Sequence, residues 1–513
     1  MPGRVDARMA MSVKVWQGLV SGQDPTSRVC WTFDLGLLTP ALGGGMKPGE
    51  VEEDRPFRIP SIRGQLRFWW RATQGARFPL ASQNGRKVDY RPIREAEALL
   101  WGMASVAEDD RRQSHQEPMA SAVRVALDLV EDPGHRLQRR KVTDDRAPMG
   151  SGLGYLFFPA REIRGANARD ALSYWWGPVA KVRVELDLDQ VKANLRRLGS
   201  FRDRTLDAAL QEDLVRQVAA ALWAWGHFGG IGARTRRGAG AVVMEDVQGP
   251  HHQWLAPAYR SVDEVLKGLK KAAEFFVTGE ARHAGDIPVL KGACVAVSEL
   301  RLERSPQWSD RNQPKAPLAM PERVGEAVGR TMQDFRQGVG FARNSGQGRR
   351  PGRSRWPEPD AIRRLLRRWA PNHQPRLPTF FPRAALGLPI VFKFNTTQAP
   401  GDPEGQITLF PARDLQRMAS PLILRPLRLE GGDQYALVGL LLNTPLEPPG
   451  GLVLVKGARQ QGQGILVPRE AEPWAGLSQH GRQVEPLKAG GWGPAPCALL
   501  CRIAGNQQRR MAL

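Results

Sequence analysis

The chain has 513 residues, enough as a soft prior for two to four domains, and its 41% hydrophobic content excludes a disordered chain. The formal charge is +22, and all but 14 of the 74 Lys+Arg residues are Arg, against 52 Asp+Glu. A GC-rich genome accounts for part of the Arg count but not for the excess over acids, which points to an anionic partner, nucleic acid first.

Residues 1–28 read as a leader without the apolar core of a signal peptide. Residues 29–38 predict a strand, stopped by Thr39-Pro40 and followed by a glycine-rich connection that holds Gly43–Gly45 and Lys47. IPSIRGQLRFWWRATQG (59–75) predicts a helix: Pro60-Ser61 open it, and Ile62, Leu66, Trp69 and Thr73 recur on one face. Arg63, Arg67 and Arg71 form the neighbouring stripe. Trp70 lies between the two, where inward packing and stacking on a base both remain open. Residues 121–131 and 181–189 alternate like strands, GYLFFP (154–159) is a further strand candidate, and 135–152 reads as a polar, basic loop. Residues 205–226 carry the strongest helical pattern, with Leu206, Leu210, Leu214, Val218, Leu222 and Trp225 on one face. The loop GGIGARTRRG (229–238) and a strand to 247 follow. Strand, helix, strands, helix, strand is the order of a ferredoxin-like, RRM-type unit.

Residues 248–290 read as a connector holding one helix near 261–277. The second half, 291–513, is also α+β. It offers a strand over 294–303, a helix over 322–338, a short helix over 361–370, and strand-like stretches at 386–394, 418–429, 435–443 and 451–457. A second ferredoxin-like unit would fit, though the element order does not settle it. An Arg-rich insertion at about 341–383 has few apolar residues in its first part and reads as mobile. The longest apolar run, 436–442, falls far short of the ~20 residues of a membrane span. Cys30, Cys294, Cys497 and Cys501 make neither a disulfide framework nor a zinc spacing. These features predict a soluble, cytoplasmic protein with no membrane partner, no metal and no cofactor.

In GGIGARTRRG, Gly229, Gly230 and Gly232 permit close backbone approach, and Arg234, Arg236 and Arg237 add phosphate-directed charge. A polyanion passing over exposed backbone N–H groups would be held there without base readout; a solvated turn is the bland alternative. The loop matches neither GxxxxGK[ST] nor GxGxxG, and it lies between helix and strand in the reverse order of both. The stripe of Arg63, Arg67 and Arg71 is either a solvated helix face or a phosphate contact, with Gly64 allowing close approach and Lys47 adding charge from the preceding loop. Catalytic signals are thin. His227 adjoins the glycine loop but reads more readily as a structural histidine than as a base. Asp144 and Asp145 lie in a basic loop, where a solvated turn is a simpler reading than in-line chemistry on RNA.

IRGQLRFWWRA, YLFFP, GGIGARTRRGAG, LGLPIVF and RMASPLIL together resemble the motif series of the first subunit of the type III-B CRISPR effector, the Cmr complex, within the RAMP superfamily. The resemblance covers about 29–247 well and 386–444 more weakly. It implies an α+β fold of two ferredoxin-like RAMP domains with insertions, set in a multi-subunit ribonucleoprotein for antiviral defence. It further implies contact with the 3′ part of the CRISPR RNA and with target RNA, through Arg63, Gly64, Arg67, Arg71, Gly229, Gly230, Gly232, Arg234, Arg236 and Arg237. Arg417 and Ser420 would belong to the second domain's equivalent motif. The partners implied are the guide, the target and the other Cmr subunits, and the subunit itself is not the nuclease. A RAMP endoribonuclease is the alternative; the absence of any histidine before His115 disfavours its guide-processing form. A stand-alone single-stranded RNA-binding protein is the second alternative.

Overall fold

The structure is a computed structural model. It describes residues 27–513 apart from 48, 79–88, 105–117, 131, 146, 149–150, 164–167, 202–203, 281–286, 303–316, 338–354, 372–373, 395, 397–399, 413–415, 447, 449, 458–463, 468–483 and 506–508. The expected leader, the first part of the Arg-rich insertion and His115 therefore lie outside the described residues.

The first half runs β1 (Arg28–Leu37), β2 (Ala41–Leu42), α1 (Ile59–Gln74), α2 (Arg91–Trp101), β3 (Val123–Leu129), β4 (Gln138–Lys141), α3 (Gly152–Leu156), β5 (Ser173–Trp176), β6 (Ala180–Asp187), α4 (Leu188–Arg197), α5 (Ala208–Phe228) and β7 (Val242–Gln248). Four strands make an antiparallel sheet in the order β3-β6-β1-β7, with α1 and α5 as crossovers, which is the ferredoxin-like arrangement. Alternation sets its faces. Trp31, Phe33 and Leu35 of β1 and Val182, Val184 and Leu186 of β6 point into the core, while Thr32, Asp34, Lys181, Arg183 and Glu185 line the outer face. That outer face has mixed charge and lacks the aromatics on which an RRM stacks bases.

The second half runs α6 (Val262–Phe276), β8 (Val289–Glu299), α7 (Met320–Gln337), α8 (Glu358–Leu365), β9 (Ile390–Lys393), β10 (Gln406–Pro411), β11 (Leu422–Arg428), β12 (Tyr435–Asn443), β13 (Leu452–Lys456), β14 (Ile465–Leu466), α9 (Ala495–Ala504) and β15 (Arg510–Ala512). Its main sheet, β11-β12-β8-β15, repeats the order of the first, with α7 and α9 as crossovers. The expected strands at 386–394 and 451–457 are not part of it. They belong to a separate sheet, β14-β13-β10-β9, contributed by two insertions, one before β11 and one after β12.

Two further expectations are corrected. GYLFFP is not a strand: Ser151 caps α3 by accepting the Gly154 N–H (2.9 Å), and a 3₁₀ turn over Phe158–Ala160 follows. The described part of the Arg-rich insertion is folded rather than loose, because its charges are paired. Arg363 grips Asp402 through two bonds (2.9 and 2.6 Å) and Asp360 through a third (3.0 Å), and Arg364 donates to the carbonyls of Leu377 (2.5 Å) and Pro375 (3.0 Å).

Core composition stacks the two units in layers. Ala436, Val438 and Leu440 of β12 share a core with α1, α5 and α6, while Leu437 and Leu441 face the core of α7 and α9. Burial on both faces explains why YALVGLLLN is apolar without alternation. It also explains why α5 is buried nearly all round from Leu214 onward: the helix lies between two sheets.

Candidate nucleic-acid interface

Helix α1 buries Ile62, Leu66, Trp69 and Trp70, and the Trp70 indole donates to Gln217 Oε1 on α5 (3.0 Å). Both tryptophans are therefore core residues, which closes the base-stacking option for Trp70. The arginine stripe faces α2. Arg63 donates to the Trp101 carbonyl (2.6 Å), while Arg67 and Arg71 converge on one oxygen of the nearly buried Glu97 (2.8 and 2.6 Å). Burial, then the neighbouring Arg67 charge, lowers the Arg63 pKa. The stripe thus latches α2 onto α1, while Arg67 and Arg71 stay 38% and 34% exposed. Gly64 is exposed, and a Cβ there would meet nothing within 4 Å, so packing does not demand this glycine.

The glycine loop leaves the end of α5 and is laced onto the chain after β1. Ile231 N donates to Gly240 O (2.9 Å), Ala233 N to Leu42 O (2.8 Å) and Gly240 N to Pro40 O (2.8 Å). Thr39 Oγ1 donates to Gly238 O (2.6 Å) and accepts from Ala241 N (2.9 Å). The N–H groups of Ile231, Ala233 and Gly240 therefore serve internal carbonyls and are not part of a free row. Gly229 has no room for a Cβ against Trp225 and Trp69, Gly230 packs on Gly240, and Gly232 (φ +77°) crosses Leu42. The loop's arginines form the seam between the two units. Arg234 donates to Tyr155 O (3.2 Å), Arg236 to Ser420 O, and Arg237 to Tyr155 Oη (3.2 Å) and Leu386 O (3.1 Å). Arg236 also lies over the Phe68 ring of α1 (5.4 Å). Among the described residues no carboxylate pairs with any of the three. Burial, reinforced by the Arg336 and Arg234 charges, pushes Arg237 down to about 10.

The structure therefore brings the glycine loop, Phe68 of α1 and Ser420 together, and turns Arg63, Arg67 and Arg71 toward α2 instead. Lys47 is exposed on the loop after β2, and Arg417 is exposed shortly before Ser420. Sequence reasoning missed Tyr155, Glu97, Arg336 and Arg425, and reached Arg383 only as the end of the Arg-rich insertion. Tyr155 stood inside the quoted YLFFP but was assigned to a strand; the others give no local signal. Arg425 of β11 donates to the carbonyls of Trp225 (3.5 Å), Gly226 and Val242, which ties the second sheet to the first unit, and burial pushes it down to about 9.

The candidate catalytic groups differ in setting, and Asp144 stays 74% exposed. Asp144 pairs with Arg161 (2.7 Å), and His227 is buried between Trp223 O (2.9 Å) and Tyr259 Oη (3.3 Å). No group of three or more His, Cys, Asp or Glu suited to a metal occurs among the described residues.

Residues 34–243 match the family model of the RAMP superfamily, so the family resemblance drawn from the motifs is borne out over that stretch. A curated relative from Pyrococcus furiosus, "CRISPR system Cmr subunit Cmr1-1", is 24% identical over 231 residues, 44% of this chain and 51% of the relative. The chain thus spans about half the length of the curated relative it matches. Two solved structures are similar at lower identity. The apo crystal structure of Cmr1 from Pyrococcus furiosus gives a TM-score of 0.35 at 15% identity, over 81% of this chain and 88% of that one. A chain of a cryo-EM structure of a type III-B Cmr-beta complex bound to cognate target RNA gives 0.39 at 11% identity, over 81% and 94%. These are loose likenesses, and the fold assignment rests on the strand orders above.

Proposed function

We propose, from the RAMP-superfamily match over residues 34–243, that this chain is an RNA-binding subunit of a type III-B CRISPR ribonucleoprotein. It contacts the CRISPR RNA toward its 3′ part and the target RNA, and assembles with the backbone RAMP subunits. The observation that carries the reading is the seam between the two units, where Arg234, Arg236 and Arg237 converge without a carboxylate in a chain of net charge +22. Such a seam suits a polyanion recognised by its backbone, with sequence read by base pairing to the guide. Its action on this reading is binding rather than cleavage: His227, the histidine beside the glycine loop, is buried. No described helix is long and apolar enough to cross a membrane.

The test is titration of fluorescent single-stranded RNA into the purified protein across a salt series, with the same RNA followed for cleavage. The expected result is a linear fall of log K with log salt and intact RNA. No RNA binding at low salt overturns the reading. Cleavage lost in Asp144→Ala or Asp145→Ala favours the endoribonuclease alternative. Recovery of the tagged protein from its host without CRISPR subunits favours the stand-alone one.

A further inference from the structure

One cluster at the seam goes beyond the expected binding residues. Tyr155 projects from α3 of the first unit, and guanidinium groups approach it from several elements. Arg237 donates to its hydroxyl (3.2 Å), and Arg234 lies over its ring (5.8 Å). Arg336, near the end of α7, and Arg383, from the insertion, supply further positive charge to the same phenol. Arg383 is fixed in place: it donates to the Arg336 carbonyl (2.8 Å), pairs with Glu358 (3.1 Å) and stacks over Trp356 (5.4 Å) and Phe392 (5.6 Å).

Glu358 is the one carboxylate bonded to this group among the described residues, and it also accepts the Arg383 N–H (2.8 Å). Arg234 and Arg237 bond only neutral oxygens, the Arg336 guanidinium donates to no described residue, and Arg234 Nε is buried without a partner. Removing like charges from water without a counter-charge is costly. An anion that fits among them removes that cost. The phenol reports the same field. Burial alone would raise its pKa, yet Arg237, Arg336, Arg234 and Arg383 together hold it below the ordinary tyrosine value. Tyr155, Arg234, Arg237, Arg336 and Arg383 are each half-buried rather than fully enclosed, and the Arg383 side chain is 14% exposed.

We infer that Tyr155, Arg234, Arg237, Arg336 and Arg383 form a binding site for a single phosphoryl group at the junction of the two ferredoxin-like units. Forked guanidinium donors and a phenolic O–H suit tetrahedral phosphoryl oxygens. Because the site draws side chains from both units, occupancy also stabilises their mutual docking. The inference rests on the RNA-binding reading for the source of the phosphoryl group, which is either a diester within the chain or a terminal monoester.

The experiment uses Arg336→Gln, whose side chain holds no other described group, and Tyr155→Phe, which keeps the ring under Arg234. Thermal unfolding of the full chain is followed against inorganic phosphate, with chloride at matched ionic strength. The expected result is a saturable rise in Tm for the wild type that both variants reduce. RNA affinity is then compared for one oligonucleotide with a 3′-hydroxyl, a 3′-phosphate or a 5′-phosphate. A loss of about tenfold in Arg336→Gln for all three assigns the site to a chain diester, and a loss confined to one phosphorylated form assigns it to that monoester. Equal phosphate stabilisation and equal RNA affinity in wild type and both variants overturns the site while leaving RNA binding intact. Phosphate stabilisation lost in the variants, in a wild type that binds no RNA, keeps the site and removes the RNA reading.

Discussion

His227 is a buried structural histidine, the simpler of the two readings its sequence context allowed. It stands beside the glycine loop, yet its ring is sealed between Trp223 and Tyr259 with Arg425 nearby, and burial pushes its pKa down to about 4. Unfolded, it takes up a proton near pH 6.5. Between those values the unfolded chain binds the extra proton, so the His227 contribution is complete above about pH 6.5 and is lost as pH falls toward 4. The loss amounts to about 3 kcal/mol. Urea unfolding of wild type and His227→Gln at pH 7, 5.5 and 4.5 isolates it from the carboxylates: the stability gap should narrow as pH falls. Parallel curves would show that His227 titrates normally.

At the scale of elements, α1 and α2 act as a pair joined by Glu97. Glu97→Gln leaves Arg67 and Arg71 without a charged acceptor in a largely buried position and is expected to cost about 1–3 kcal/mol, read as a lower urea midpoint. Arg67→Gln separates the stripe's two roles. Its side chain is 38% exposed, and Arg71 still holds Glu97, so the stability cost should be well below that of Glu97→Gln. If the stripe also meets RNA, Arg67→Gln lowers affinity and reduces the salt slope by about one. Unchanged affinity and slope would leave the stripe as a latch alone. Much of this pair was visible in advance. The spacing of Ile62, Leu66, Trp69 and Thr73 placed both the helix and its buried face, and the offset of Arg63, Arg67 and Arg71 placed the stripe. What the stripe faces could not be read, because Glu97 belongs to a different helix, 26 residues after Arg71.

For the whole molecule, the decisive contact is Arg425. It carries a fully buried charge from the second sheet to three carbonyls of the first unit. Arg425→Met matches its bulk but leaves those carbonyls without their donor. The expected result in calorimetry is a loss of about 3 kcal/mol and separation of one unfolding transition into two. A single, unshifted transition would mean that apolar packing alone couples the units.

The amino-acid order by itself determined the first ferredoxin-like unit, the inward faces of its strands and helices, the basic character of the chain and the motifs that match the RAMP superfamily over residues 34–243. These depend on local periodicity and composition, which short stretches carry in full. Tertiary structure decided the rest. The second unit was obscured because two insertions separate its strands and because β12, buried on both faces, shows no alternation. The final helix and strand, α9 and β15, acquire meaning only by packing on β8. The glycine loop drew attention for its residue types, but whether its N–H groups and arginines face solvent or the second unit depends on contacts more than 100 residues apart, such as Arg236 with Ser420. Charge can be counted along a chain; whether it is paired, buried or open to a ligand is a property of three-dimensional neighbours.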